Sequence, residues 1–142
     1  MVKLKKADYE TLASFRYALR QFLHFSEQAA SAMGLPPQQH QALLAIKGFP
    51  GRDYVTISEL AERLQVRHHS AVGLVDRLEA QGLIVRQSAE NDRRQVYVTL
   101  TAHGLNVLEQ LSAAHRAELR RIGPQISQLL AQLGEPEPSH SH

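Results

Sequence analysis

Apolar positions recur every three or four residues along most of this chain, and near its middle they switch to alternation. Leu12, Phe15, Leu19, Phe22 and Leu23, then Ala29, Ala30 and Met33, predict a helix from Asp8 to about Met33. It would be roughly 35–40 Å long at 1.5 Å per residue. Gly34 supplies a left-handed stop, and Pro36 and Pro37 prevent continuation. A helix of that length needs something to pack against along its whole face, and a second subunit would provide it. Ala42, Leu43 and Ile46 mark a second helix from Pro37 to about Lys47. Gly48–Asp53 reads as a turn around Pro50-Gly51, and Tyr54-Val55 as a very short strand.

Thr56-Ile57-Ser58-Glu59 matches a capping box, in which the threonine hydroxyl accepts from the Glu59 amide and the carboxylate reaches back. Ile57, Leu60, Ala61 and Leu64 then give a short amphipathic helix. Gln65–Arg67 is a turn. Ala71, Leu74, Val75 and Leu78 predict a further helix from about His68 to Gln81, with Gly82 as its C-cap. Two short helices joined by a turn form a helix-turn-helix. Leu83–Gln87 and Gln95–Leu100 alternate, so they predict a hairpin whose loop, Ser88–Arg94, is polar and ends in arginines. Thr101 caps another helix, striped by Leu105, Leu108, Leu111, Leu119 and Ile122. Gly123-Pro124 is expected to break it, and Ile126, Leu129, Leu130 and Leu133 to form a separate last helix. The tail, residues 135–142, reads as disordered.

The fold class expected is mainly α with a small β-hairpin: a winged helix-turn-helix, residues 35–101, flanked by helices at 1–34 and 102–134. Composition adds little to that picture but removes alternatives. A chain of 142 residues with 43% hydrophobic and 21% charged residues suits one soluble domain. Without cysteine there is no disulfide, thiolate nucleophile or Cys-ligated zinc. The N-terminus, MVKLKKADYE, is basic but lacks an apolar core, so no secretory signal is read and the cytoplasm is the expected location. No paired carboxylates, catalytic triad or P-loop suggests an enzyme. The net charge of +2 leans only mildly toward anionic partners. Distribution matters more, because Arg86, Arg93 and Arg94 fall in or beside one hairpin.

The outer face of the second short helix carries His69, Ser70, Gly73, Asp76 and Arg77, not the glutamate and lysine of a solvated face. With a hairpin directly after it and arginines at the tip, this pattern points to nucleic-acid binding. The stretch from Leu60 to Gly104 resembles the winged-helix core of the MarR family of bacterial transcription regulators. The resemblance rests on Leu60-Ala61 with Leu64 and Val66, on Leu74-Val75-Asp76-Arg77-Leu78-Glu79, and on Gly82-Leu83 with Arg86. Asp92-x-Arg94 and Leu100-Thr101 with Gly104 complete it. It covers about a third of the chain, and it is the order and spacing of the pieces that make it specific. It implies a DNA-binding regulator, a repressor released by a small ligand, acting as a homodimer on a pseudo-palindromic operator. The dimer would form through the helices at both chain ends. Two departures stand out, Arg67 in place of a capping serine and Gly73 in place of a basic residue.

Arg67, His68, His69 and Ser70 begin the recognition helix, where base edges are reached, although solvent exposure alone would also explain the histidine pair. Arg67 cannot cap an amide. Gly73 either lets the DNA backbone come close or permits a tight helix crossing. Arg77 meets phosphate, or pairs with Asp76 or Glu79. Arg94 suits the negative potential of a narrow minor groove, Asp92 orients it, and Arg93 is a phosphate ligand.

The resemblance also implies an effector, a small aromatic or phenolic anion in an apolar cleft with one cation. Phe15, Arg16, Phe22 and His40 lie on the right helices, although core, dimer or surface roles would explain each. Some relatives sense zinc. His24, His40, His103 and His115 show no tight ligand spacing, so they read as surface or helix-end histidines and no metal or other cofactor is expected. Terminal His140 and His142 could bind metal adventitiously. A metal-responsive regulator and a winged helix used only for protein interaction remain the alternatives.

Overall fold

The computed structural model describes residues 3–89 and 92–134, except the side chains of Ala89, Asp92, Arg93, Arg94 and Gly134. The tail expected to be disordered, residues 135–142, lies outside the described residues. In order come α1 (Lys6–Ala32), α2 (Pro37–Lys47), β1 (Tyr54–Val55), α3 (Ile57–Leu64) and α4 (His68–Ala80). β2 (Ile84–Ala89), β3 (Asp92–Leu100) and α5 (Ala102–Gly134) follow. Among the described residues no helix is long and apolar enough to cross a membrane. The backbone forms two compact units, residues 29–113 and a helical unit of residues 3–28 with 114–134.

In the unit of residues 29–113, the core gathers Leu43 and Ile46 from α2, Leu60 from α3, and Val75 and Leu78 from α4. Val55, Ile84 and Val98 join from the strands, and Leu108 and Leu111 from α5. The three strands form an antiparallel sheet in the order β1-β3-β2. Val55 and Arg86 flank Val98 on either side. The capping box at Thr56 is present: its hydroxyl accepts from the Glu59 amide at 3.1 Å, and its own amide donates to Glu59 Oε1 at 2.9 Å. The glycine stops are present as well, with Gly34 and Gly82 both at φ +74°. At Gly82 the Leu83 amide returns to the Leu78 carbonyl at 3.0 Å, closing α4.

Thr101 starts α5 and ties it to the end of α4. Its hydroxyl accepts from the Gly104 amide at 3.0 Å and donates to the Gly82 carbonyl at 2.6 Å. Its amide donates to the Leu83 carbonyl at 3.0 Å. The backbones approach so closely that a Cβ on Gly104 would sit 2.0 Å from the Leu83 oxygen.

In the helical unit α1 and α5 run antiparallel, with Ser26 meeting His115 at 2.7 Å and Thr11 meeting Gln132 at 3.3 Å. The expected break at Gly123-Pro124 does not occur, and α5 continues through Pro124. The physical reason is the phase of its inner face. His115, Glu118, Ile122, Ile126 and Leu129 stay buried or half-buried at three- and four-residue steps on both sides of the proline. Side-chain packing along that line outweighs one lost backbone hydrogen bond. The stripe expected along α1 also divides. Phe15 and Phe22 turn inward with Ala18, whereas Leu12, Leu19 and Leu23 stay 41%, 42% and 46% exposed. Leu119, expected in the α5 stripe, is 46% exposed.

The hairpin is longer than its alternation predicts. Ser88, Ala89 and Asp92–Arg94, expected in a loop, belong to the strands. The register slips between Ser88, opposite Val96, and Ala89, opposite Asp92. Gln87, Ser88, Gln95 and Val96 are all exposed, so no apolar side requires alternation there, and ladder hydrogen bonds alone continue the ribbon.

Candidate nucleic-acid interface

Helix α4 is fixed by one face and free on the other. Ala71, Leu74, Val75 and Leu78 are buried. The leucines and valine contribute roughly 1.5–3 kcal/mol each on burial, so the opposite face can vary without losing the fold. Arg67, His68, His69, Ser70 and Arg77 are exposed there, and Gly73 is half-buried. Arg67 occupies the N-cap with extended backbone, φ −71° and ψ 154°, and makes no side-chain cap. The first amides of α4 therefore keep their partial positive charge toward solvent, beside two imidazoles and a serine hydroxyl.

Gly73 does not serve a helix crossing. Among the described residues, the only atoms a Cβ there would meet are the Arg77 guanidinium nitrogens, at 3.5 and 3.9 Å. Arg77 thus folds back one turn over the glycine. Its expected pairing with Asp76 or Glu79 is not found either, because both acids are held by Arg86 on β2. One Arg86 nitrogen lies 2.5 Å from Asp76 Oδ1 and another 2.5 Å from Glu79 Oε1. The hydrogen bond to Asp76, joined by that to Glu79, raises the Arg86 pKa above its ordinary value.

The wing residues Asp92, Arg93 and Arg94 start β3; their side chains lie outside the described residues. Between wing and α4 lies an open cleft of about 350 Å³, lined by Thr56, Ile57, Ser58, His68, Gln95 and Val96. Behind α3, Arg52 pairs with Glu59 and lies over the rings of Phe49 and Tyr54, 4.4 and 5.0 Å from their centroids. Burial alone would push Glu59 up, but the hydrogen bonds from Thr56 and Arg52 hold its carboxyl below the ordinary range. Neither Arg52 nor Arg86 stands out in the sequence for these roles, since both partners come from other elements.

The four residues considered for an effector are not gathered by one element. Phe15 and Phe22 share the inner face of α1, and Arg16 is exposed on another face. His40 belongs to the unit of residues 29–113 and is buried, 3% exposed. His40 and His115 are therefore not surface histidines. His115 sits half-buried against the edges of Phe22 and Phe25, with centroids 5.9 and 5.7 Å away. His24 and His103 are exposed. Among the described residues no three His, Asp or Glu side chains stand together as a metal site would need.

Comparison with known proteins places this geometry. A family model described as MarR family matches residues 33–95. The HTH-type transcriptional repressor MdtR of Bacillus subtilis is 30% identical over 94 residues, covering 66% of this chain and 59% of its own length. The chain spans about half the length of the curated relatives it matches. AbsC of Streptomyces coelicolor, a MarR family transcriptional regulator, superposes with a TM-score of 0.69 at 23% identity, covering 96% of this chain and 87% of AbsC. A variant of S. aureus MepR bound to an oligodeoxyribonucleotide superposes with a TM-score of 0.66 at 19% identity, covering 92% of this chain and 99% of its own. These structural likenesses carry the fold, and the family match, residues 33–95, spans the helix-turn-helix and reaches into the wing. The fold is that of MarR family winged-helix proteins, and residues 33–95 match the MarR family.

Proposed function

We propose that this chain is a sequence-specific DNA-binding transcription regulator of the cytoplasm, not an enzyme, and that it represses from a pseudo-palindromic operator as a homodimer. The observation that carries the reading is the outer face of α4. An uncapped N-terminus, two exposed histidines, a serine and Arg77 stand on a helix whose other face is fully committed to the core. Such a helix presents donors to base edges and phosphates. Relatives named as transcriptional repressors, and a MepR variant bound to an oligodeoxyribonucleotide, support it.

In this reading residues 35–101 form the DNA-binding region, and 1–34 with 102–134 provide dimerisation. Two recognition helices would enter successive major grooves roughly 34 Å apart. Arg67, His68, His69 and Ser70 begin the contact, Gly73 leaves room for the Arg77 guanidinium to turn toward phosphate, and Arg93 binds phosphate. Arg94 enters the minor groove, held by Asp92. A small aromatic or phenolic anion releases the dimer, with Phe15, Arg16, Phe22 and His40 as the residues to probe.

Selection of bound fragments from random DNA tests the reading and yields the half-site. The expected product is an inverted repeat. Arg94→Ala should then weaken binding to it by about 1–3 kcal/mol in a gel-shift titration. Recovery of no enriched sequence, or full affinity in a variant lacking both Arg93 and Arg94, would instead favour a protein-interaction module.

A further inference from the structure

Asp76 lies seven residues after His69, on the same outer side of α4, and Glu79 follows one turn later. Their side chains are 60% and 40% exposed. Carboxylates placed there repel the phosphate backbone that the rest of the face attracts. Arg86 reaches them from β2 with one guanidinium nitrogen on each, and its backbone amide donates to Glu79 Oε2 at 3.3 Å. A guanidinium shared in this way cannot reach DNA without leaving both acids bare. Arg77, on the same face, has no ion pair among the described residues and is drawn over Gly73 instead.

We infer that Arg86 is a positioning residue of the interface, an inference that rests on the DNA-binding reading above. It screens Asp76 and Glu79 from DNA and fastens the second half of the recognition helix to the base of the wing, and it makes no phosphate contact itself. The arginine is specific to the task, because its planar fork spans two carboxylates where a lysine ammonium would serve as a point charge.

The test uses the full chain and a duplex selected by the wild-type protein, titrated by fluorescence anisotropy at several salt concentrations. Arg86→Gln should bind about tenfold more weakly, with the salt slope of the wild type. The triple variant Arg86→Gln, Asp76→Asn, Glu79→Gln removes the acids together with their screen. It keeps neutral hydrogen-bonding groups at all three positions, and it should bind within about threefold of wild type. A triple variant as weak as the single one, or a single variant whose log–log salt slope drops by about one, would show that Arg86 touches DNA and overturn the inference. If Arg86→Gln fails to fold by circular dichroism, the triple variant alone decides. Its unfolding as well would make Arg86 a packing residue. A wild-type chain that selects no duplex removes the DNA reading and this inference together, whereas a weak triple variant removes only the inference.

Discussion

At Gly104 a single methyl group decides whether α5 can start where it does. With a Cβ placed 2.0 Å from the Leu83 oxygen, Gly104→Ala must push the first turn of α5 off the end of α4. Overpacking against backbone cannot be relieved by a rotamer change. We expect a loss of about 3 kcal/mol in urea unfolding followed by circular dichroism. Glu59 gives a residue-scale prediction in pH. Its folded-state pKa is depressed by its Thr56 and Arg52 partners, so its stabilisation is present above the ordinary glutamate range and lost as pH falls through the folded value. Glu59→Gln should cost about 1 kcal/mol near neutral pH. The gap between variant and wild type should narrow as pH falls below the ordinary glutamate range in the same unfolding assay. The Thr56 box was legible because all its groups lie within four consecutive residues. The Arg86 pairing was not, because Asp76 lies ten residues away and meets Arg86 only after the chain turns at Gly82 and returns beside α4.

At the scale of elements, local signals succeeded where they were chain-terminating and unopposed. Gly34 followed by Pro36 ended α1, and Gly82 ended α4. Gly123-Pro124 carried the same vocabulary and failed, because the inner stripe of α5 keeps its phase across it. Proline there lacks the amide that would reach Arg120, and its ring crowds that carbonyl. Pro124→Ala should therefore stabilise the chain by about 1–3 kcal/mol, read as a rise in thermal midpoint. No gain would mean that packing has already absorbed the strain. The wing shows the reverse failure. Alternation reports a buried face, so it stopped at Gln87 and Gln95, while the backbone ladder continued into Asp92–Arg94.

At the scale of the whole molecule, the fold class, the helix-turn-helix and its outer face were legible, since each depends on periodicity and on residues close in sequence. The division of α1 into two apolar faces was not, because Leu12 and Phe15 look alike until a neighbour selects one. Tyr9, Leu12, Leu19 and Leu23 leave a second stripe on α1, and Leu119, Leu130 and Leu133 remain exposed on α5. Contiguous exposed apolar patches mark interaction surfaces. If the α1 stripe is the dimer face, Leu19→Glu with Leu23→Glu should yield a folded monomer in analytical ultracentrifugation. That monomer should lose most of its affinity for a two-half-site duplex while the circular dichroism spectrum stays helical. A variant that remains dimeric would place the interface elsewhere.

The strap from Arg86 to Asp76 and Glu79 bears on how such proteins can be re-targeted. If α4 reads the operator as proposed, transplanting it from a relative would bring in new residues at 76 and 79 opposite an arginine chosen for the old ones. In the proposed DNA-binding reading, the portable specificity cassette is thus the helix together with the first three residues of β2. Exchanges that move residue 86 with the helix should keep their affinity, and exchanges that leave it behind should fold and bind poorly.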